Sequence, residues 1–331
     1  MAIIITGSIA YDYLMSFPGY FKDQILPDKL DTISLSFLVD AMVKQRGGVA
    51  PNIAYTMALL GEKPRLMATV GEDFEDYRHW LEDRGIDTRN VKTVDGKFTA
   101  SFFVNTDLSN NQIASFYTGA MADAGSLSLA DFKAGEADYV VISPNDPAAM
   151  KKYVQECREL KIPYLYDPSQ QVARNDHADL CDGVEGAQAL FANEYEFELL
   201  QKHTCLSRKQ MIERIPMVVV TLGEKGAVIY ANGKSYAIGI VPASKILDPT
   251  GVGDAFRGGF LRGYRMGLNL QTCGQMGALA ATYCLEQKGT QNHFYTTKEF
   301  VRRYREHFDD QGDLDKLIEK QPFLEEKDAE L

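Results

Sequence analysis

The stretch D-P-T-G-V-G-D-A-F-R-G-G-F, residues 248–260, places a carboxylate directly after a Gly-x-Gly loop. An apolar helical pattern follows, so the backbone N–H groups of Gly251, Val252 and Gly253 would lie at a helix start, where anions bind favourably. Asp254 could then accept the proton of an attacking hydroxyl, while the backbone holds the charge of a transferred phosphoryl group. An acidic residue in a first helical turn can equally serve the helix dipole alone. The loop by itself leaves both interpretations open.

Two further segments place polar or turn-forming residues at the end of an apolar run. In N-E-Y-E, Asn193 and Glu196 are three positions apart and share one face of a predicted helix. From the residues alone, an Asn N-cap with an acidic first turn is the simpler interpretation. T-L-G-E-K-G, residues 221–226, follows another apolar run, and its glycines are typical of a tight hairpin turn.

The rest of the chain alternates between short apolar runs and helical patterns. The apolar runs end in polar residues or glycine, as parallel strands buried on both faces do. These runs lie at 3–7, 65–71, 139–143, 163–167, 189–193 and 217–223. The helical patterns lie at 50–61, 74–84, 147–161, 194–203, 252–267, 271–286 and 297–307. The alternation predicts a doubly wound α/β sheet flanked by helices, in a single domain over residues 1–331.

Two regions interrupt this alternation with short patterns rich in Phe, Tyr, Ser and Thr. The patterns include S-L-S-F-L-V at 34–39, T-A-S-F-F-V-N-T at 99–106 and I-A-S-F-Y-T at 113–118. They predict antiparallel strands, drawn from about 11–46 and 98–118, that form a small β-sheet lid. Because doubly wound folds bind ligands at the carboxyl edge of the sheet, we expect the lid to lie there.

Composition excludes several classes of protein. The 35 Lys and Arg against 46 Asp and Glu give a net charge of −11, and no basic cluster offers a site for nucleic acid. No apolar run approaches the ~20 residues that a membrane helix needs, and the start M-A-I-I-I-T-G suits a buried strand rather than a signal peptide. The cysteines are scattered without C-x-x-C spacing, which suits thiols in a reducing compartment. We therefore expect a cytoplasmic protein, with fraying of its acidic tail at 325–331.

The loop at 248–260 resembles the C-terminal signature of the ribokinase, or pfkB-type, family of carbohydrate and nucleoside kinases. R-G-G-V-A-P-N-I-A-Y-T-M-A-L-L-G, residues 46–61, resembles that family's N-terminal signature, although Pro51 stands where other members often carry a small residue. S-L-S-F-L-V-D, Q-I-A-S-F-Y-T-G-A-M and D-P-S-Q-Q-V-A-R are similar to segments of bacterial adenosine kinases. The resemblance implies a ribokinase-like fold with a β lid, ATP as phosphoryl donor and Mg²⁺ as cofactor, and it leaves a monovalent cation open.

The resemblance also implies roles for individual residues. On the donor side, Asp254 is the base, Gly251, Val252 and Gly253 form the anion hole, Asn193 and Glu196 hold Mg²⁺ through water, and Thr221, Gly223, Gly226 and Thr250 contact ATP. On the acceptor side, Asp12 takes two ribose hydroxyls, Ser8, Gly47, Gly48 and Asn52 surround the sugar, Ser36, Phe102 and Phe116 belong to the lid, and Gln170, Gln171 and Arg174 lie near the transferred phosphoryl group. Turn formation by Asp12 and packing of the two phenylalanines within the lid remain the alternatives.

These features together predict an adenosine kinase that makes AMP for purine salvage, with nucleoside and ATP as small-molecule partners. A sugar kinase, a kinase for another nucleoside and a non-catalytic nucleotide sensor are the competing hypotheses. An intact Gly251, Gly253 and Asp254 argue against the sensor, because a sensor needs no base. Apolar residues in the lid also predict a homodimer through that sheet.

Overall fold

The computed structural model describes residues 2–32, 34–133 and 135–319, and these form two β-sheets. The strands are β1 Ala2–Thr6, β2 Ala10–Ser16, β3 Ala41–Gly47, β4 Arg65–Val70, β5 Asp87–Thr93, β6 Ala100–Thr106, β7 Gln112–Tyr117, β8 Ala137–Ile142, β9 Tyr164–Tyr166, β10 Ala189–Asn193, β11 Met217–Thr221, β12 Ala227–Ala231 and β13 Lys234–Ile238. The larger sheet has nine strands in the order β13-β12-β11-β10-β9-β8-β1-β4-β5, and the smaller has four in the order β3-β2-β6-β7. The acidic segment 325–331, for which we predict fraying, lies outside the described residues.

Helices cover both faces of the larger sheet. In chain order the helices are α1 Phe21–Gln24, which lies beside the smaller sheet, and then α2 Val49–Leu59, α3 Glu75–Glu82, α4 Pro147–Leu160, α5 His177–Glu185, α6 Glu194–Thr204, α7 Arg208–Arg214, α8 Val252–Arg265, α9 Leu270–Leu285, α10 Thr297–Arg305 and α11 Asp315–Glu319. Side chains of α2, α3 and α8–α11 pack on one face, and those of α4–α7 pack on the other. Among the described residues, no helix combines the length and apolar character that a bilayer span requires.

The apolar runs form the central strands because these strands have no solvent-facing side. In β1, Ile3 and Ile5 join the core beneath α2 and α8, whereas Ile4 joins the core beneath α4. In β11, Val219 and Val220 likewise divide between the two cores. Every strand predicted from a continuous apolar run is present in the structure, which confirms the doubly wound α/β arrangement.

The strands that the sequence patterns do not predict lie at the two edges of the large sheet. β5 is mostly polar, with only two of its seven residues buried, because it borders a single neighbour. β12 pairs antiparallel with β11 and, through a hairpin, with the edge strand β13. An edge strand buries one face only in part, so its sequence lacks the continuous apolar run of a central strand.

The smaller sheet is the predicted lid, with two corrections to its strands. β2 and β6 are parallel rather than antiparallel, because both continue from parallel strands of the large sheet, β1 and β5, and leave it in the same direction. The alternating segment 34–39 forms no strand. Instead, Phe37 packs edge-on against Phe17 and Phe21, with ring centroids 5.1 and 4.9 Å apart, so the alternation serves a local aromatic cluster.

Candidate active site

A cavity of about 480 Å³ opens at the carboxyl ends of the central strands, between the large sheet and the lid. It collects residues from the β1–β2 connection, the lid, the start of α2, the loop after β9 and the start of α8. Its lining consists of Ser8, Ala10, Asp12, Gly48, Val49, Asn52, Phe102, Phe116, Met121, Pro144, Gln170, Gln171, Arg174, Thr250, Gly251, Asp254 and Thr290. Most of the predicted acceptor-side residues therefore meet the predicted base in one cavity.

The register of the lid places a carboxylate beside two aromatic rings. Asp12 on β2 is directly opposite Phe102 on β6, and Phe102 is directly opposite Phe116 on β7. Because directly opposite residues point to the same face of a sheet, the three side chains form one row towards the cavity. Burial raises the pKa of Asp12 to about 6, and the charge of Asp248 adds to the rise.

The first turn of α2 closes the cavity close to Ser8. Gly48 precedes the helix with a φ of +99°, and a Cβ there would lie 2.5 Å from the carbonyl oxygen of Ser8. The Ser8 hydroxyl accepts a hydrogen bond from the backbone N–H of Val49 at 3.3 Å. Glycine at this position therefore allows the chain after β1 and the helix start to approach closely enough to share one cavity.

The start of α8 brings Gly251 to the lining of the cavity, while the backbone N–H of Val252 donates to the carbonyl oxygen of Pro249 at 3.4 Å. Gly251 is the N-cap residue in the left-handed conformation, with a φ of +76°, and it has no side chain to cap the helix. A Cβ on Gly251 would lie 2.8 Å from Thr290, and one on Gly253 would lie 2.8 Å from Nη1 of Arg257. The glycines thus keep the first turn of this fourteen-residue helix open to an anion.

Asp254 lies within this first turn, and its carboxylate has a defined set of partners. Nδ2 of Asn52 donates to its Oδ2 at 2.8 Å, and Nη1 of Arg257 lies 3.8 Å from its Oδ1. Burial raises the pKa of Asp254 to about 7, against the lowering effects of Arg257 and of the Asn52 hydrogen bond. The nearby charges of Asp167 and Glu196 add to the rise. A pKa of about 7 would suit a general base that works near neutral pH.

Arg257 is a buried cation of the site that we do not predict from the sequence. Its Nε and Nη2 bind the two carboxylate oxygens of Asp167 at 2.5 and 2.8 Å, and Nη2 also donates to the hydroxyl of Ser169 at 3.1 Å. Asp167 is fully buried after β9. The sequence signal that could have identified Arg257 is its spacing of three residues from Asp254, which puts both side chains on one face of α8. The arginine expected to face the phosphoryl group is Arg174, and it does line the cavity.

Asn193 and Glu196 form a reciprocal helix cap at the start of α6. The Asn193 N–H donates to Oε2 of Glu196 at 2.8 Å, and the Glu196 N–H donates to Oδ1 of Asn193 at 2.8 Å. Asn193 is also paired in register with Thr221 on β11. Burial raises the pKa of Glu196, and the hydrogen bond from Asn193 opposes that rise. The structure thus brings Asn193 and Thr221 together at the carboxyl ends of β10 and β11, outside the lining of the cavity.

The remaining predicted residues do not line the cavity. Ser36 is exposed in the segment that forms no strand. Gly47 lies behind Asp12, where a Cβ would come within 2.6 Å of its Oδ2. Gly223 and Gly226 both have positive φ in the turn between β11 and β12, and a Cβ on Gly226 would meet the carbonyl oxygen of Ile238. The expected hairpin turn is therefore present.

Five further lining residues carry no local signal in the sequence and are not predicted from it. They are Ala10, Val49, Met121, Pro144 and Thr290. Four of them are apolar and resemble ordinary core residues, so only the assembled cavity distinguishes them. Thr290 donates from Oγ1 to the carbonyl oxygen of Arg46 at 3.1 Å, which ties the loop after α9 to the lid strand β3.

Comparison with known proteins gives the same family throughout. Residues 20–297 match the model of the pfkB family carbohydrate kinases. A nucleoside kinase from Methanocaldococcus jannaschii is 30% identical over 307 residues, which cover 92% of this chain and 97% of the relative. The structure of a nucleoside kinase from Burkholderia thailandensis in complex with inosine is 33% identical, with a TM-score of 0.82 over 93% of this chain and 98% of that chain.

A crystal structure of the Methanocaldococcus jannaschii nucleoside kinase, described as an archaeal member of the ribokinase family, gives the same result. It is 29% identical, with a TM-score of 0.83 over 93% of this chain and 99% of that chain. The fold thus agrees with that of ribokinase-family structures over nearly the whole chain. The chain therefore belongs to the pfkB family of carbohydrate kinases and is an ATP-dependent kinase with the ribokinase-like fold.

Proposed function

We propose that this protein is a nucleoside kinase that transfers the γ-phosphoryl group of ATP to the 5′-hydroxyl of adenosine, giving AMP and ADP. The observation that carries the proposal is the row of Asp12, Phe102 and Phe116, which shares one cavity with Asp254. A ribose-binding carboxylate beside flat apolar rings fits an acceptor made of a sugar and a base. The names of the relatives support a nucleoside acceptor, and adenosine is our choice among nucleosides.

In this proposal different side chains of the lid and its surroundings bind the ribose and the base of the acceptor. Asp12 accepts hydrogen bonds from two ribose hydroxyls, while Ser8, Gly48 and Asn52 surround the sugar. Phe102 and Phe116 stack on the base, and such stacking contributes about 1–3 kcal/mol per base. The 5′-hydroxyl would then point away from the lid, towards the start of α8.

The chemical step follows from the arrangement at α8. Asp254 takes the proton of the 5′-hydroxyl as its oxygen forms a bond to the γ-phosphorus, and the bond between that phosphorus and ADP breaks. The N–H groups of Gly251, Val252 and Gly253 stabilise the charge of the group in transfer. Arg257 favours the ionised form of Asp254, and Arg174 with Gln170 and Gln171 would contact the phosphoryl group from the cavity wall.

The residues at the edge of the sheet fit ATP and Mg²⁺. Thr221, Gly223, Gly226 and Thr250 would contact the donor. Asn193 and Glu196 would hold Mg²⁺ through water, since Mg²⁺ prefers one or two carboxylates together with substrate phosphates. The carboxylate of Glu196 is such a ligand, and the described residues contain no cluster of three His, Cys, Asp or Glu that would hold a metal by protein groups alone. When bound, Mg²⁺ neutralises phosphate charge.

Other acceptors remain as competing functions. Inosine has a specific observation in its favour, because the similar Burkholderia thailandensis nucleoside kinase was solved in complex with it. A free sugar is the other candidate within the family, and it would leave the two phenylalanines without a partner. We propose cytoplasmic purine salvage as the setting of the activity.

An acceptor panel tests the proposal. We expect kcat/KM for adenosine to exceed that for ribose and fructose by about 10²-fold, because stacking and base contacts of roughly 3 kcal/mol act on the nucleoside alone. The measurement is ADP release from ATP with adenosine, inosine, guanosine, cytidine, ribose and fructose. Equal rates with ribose and adenosine would replace the nucleoside kinase by a sugar kinase. A higher rate with inosine would change the base assignment only.

Substitutions in the lid provide the matched control for this panel. Phe102→Ala and Phe116→Ala should each lower the ratio of adenosine to ribose, mainly by slowing adenosine. Phe103→Ala removes the same ring from the next position of β6, which points to the opposite face and stacks on Tyr13 at 4.8 Å. The ratio should therefore stay unchanged in Phe103→Ala.

We also propose a homodimer through the lid. Met42, Phe103, Ile113 and Tyr117 are exposed apolar side chains on the face of the lid opposite to Asp12. Proteins tend to cover apolar patches and sheet edges of this kind. We expect light scattering to give the mass of a dimer at micromolar concentration, and Ile113→Glu to shift it towards the monomer. A monomeric wild-type protein would contradict the dimer and leave the catalytic proposal untouched.

A further inference from the structure

A buried chain of hydrogen bonds joins Asp254 to the lid. Nε2 of Gln291 lies 2.7 Å from Oδ1 of Asn52 and 2.6 Å from the hydroxyl of Tyr77. Nδ2 of Asn52 donates to Asp254, and the Tyr77 hydroxyl donates to the carbonyl oxygen of Gly47 at 3.1 Å. Gln291, Asn52 and Tyr77 are at most 5% exposed, so these groups depend on one another for hydrogen bonds.

The direction of every bond in this chain is fixed from its lid end. A backbone carbonyl can only accept a hydrogen bond, so the Tyr77 hydroxyl donates its single proton to Gly47. The same hydroxyl must therefore accept the hydrogen bond from Gln291. Gln291 therefore turns its amino group, and not its oxygen, towards the chain. The same amino group meets the oxygen of Asn52, which leaves the Asn52 amino group to face Asp254. An amide that flipped at either position would place two acceptors against each other.

We propose that Gln291 is a positioning residue that holds the amide of Asn52 in the orientation that donates to the ionised Asp254. The inference rests on the proposed role of Asp254 as the base. A hydrogen bond from Asn52 favours the charged form of the carboxylate, which is the form that accepts the proton of the acceptor hydroxyl. Gln291 touches neither the cavity nor Asp254, and it acts through Asn52.

The other groups around Asp254 are already fixed by separate contacts. Arg257 on the same helix is bound to Asp167 beyond β9, and Glu196 is held in the cap of α6. Asn52 is the group that α2 contributes, and it is the only one of these partners whose polarity could reverse by a simple amide flip. Gln291 prevents that flip through a contact between residues 239 positions apart in the chain.

Gln291→Met tests the role because it keeps the length of the side chain and removes both donors. In a plot of kcat/KM against pH, we expect the rise on the acid side to move up by about one pH unit. At low pH kcat/KM is then about tenfold lower than in the wild type, and at higher pH it returns to the wild-type value. Tyr77→Phe keeps the aromatic ring and frees the lid end of the chain, so its shift should be smaller and in the same direction. Thr282→Val is the matched control, because it removes a buried hydroxyl that bonds to Val241 and Ala278 and should leave the limb unmoved.

A titration that does not use activity separates this inference from the proposed function. ¹³C NMR of protein labelled at aspartate carboxyl carbons follows the ionisation of Asp254, with its signal assigned by its loss in Asp254→Asn. An upward shift in Gln291→Met supports the positioning role even if Asp254→Asn remains active, which would overturn only the base. If the Asp254 titration and the kcat/KM limb both stay in place in Gln291→Met, the positioning role is wrong.

Discussion

Asp254→Asn is expected to keep the fold and the affinity for ATP while losing about 10²–10⁴-fold in turnover, the scale of one general base. Asparagine has nearly the shape of aspartate and can retain a contact with Asn52, but it cannot accept the proton of the acceptor hydroxyl. The measurements are steady-state kinetics with adenosine and calorimetric binding of an ATP analogue. Turnover near that of the wild type, in a folded variant that binds nucleotide, would rule out Asp254 as the base.

The same variant should change the pH dependence of stability in a defined direction. The pKa of Asp254 is raised from an ordinary value of 3.8 to about 7 in the folded protein, so the folded state holds a proton that the unfolded state has released. Stability therefore falls as pH rises between these two values, and Asp254→Asn removes that part of the slope. In thermal unfolding from pH 4 to pH 8, the Tm of the variant relative to that of the wild type should increase as the pH rises. Parallel curves would mean that the carboxyl has an ordinary pKa.

Arg257→Met is expected to lower the free energy of unfolding by about 3–5 kcal/mol, the usual effect of removing one partner from a buried ion pair. The guanidinium is the cation bound to Asp167, which is fully buried, and it lies 3.8 Å from Asp254. Without it, two buried carboxylates would stay uncompensated, and the pKa of Asp254 would rise further. Denaturant titration measures the loss, and kcat/KM against pH measures the shift.

An exposed ion pair supplies the control for this prediction. Arg214 lies 3.7 Å from Glu185, and both side chains are more than half exposed, so Arg214→Met should cost at most about 1 kcal/mol. The loss of unfolding free energy in Arg257→Lys should lie between the losses in Arg257→Met and Arg214→Met. Lysine keeps the charge but cannot bind both oxygens of Asp167 in one plane. A loss in Arg257→Met no larger than in Arg214→Met would show that the buried pair is not a stabilising contact.

The fold class could be predicted from local patterns because each pattern reports its own surroundings. A strand buried on both faces needs a continuous apolar run, and every such run found in the sequence is a strand of the large sheet. The edge strands β5 and β13, and β12 beside β13, escaped prediction because their partial burial leaves no continuous apolar run. The parallel pairing of β2 with β6 depends on where the two chains leave the large sheet, which no local pattern records.

The sequence alone determined the residues whose chemistry is carried by their immediate neighbours. The Gly-x-Gly loop before Asp254 is of this kind, since a helix start is a local property, whereas the roles expected of Asp12, Phe102 and Phe116 came from the resemblance to the family. Tertiary structure alone decided the surroundings of Asp254. Asn52 meets Asp254 across 202 positions, Arg257 meets Asp167 across 90, and Gln291 meets Asn52 across 239. These contacts follow from the order β9-β8-β1 and the packing of α2 against α8, because strand order, rather than any single segment, decides which loops meet at the edge of the sheet.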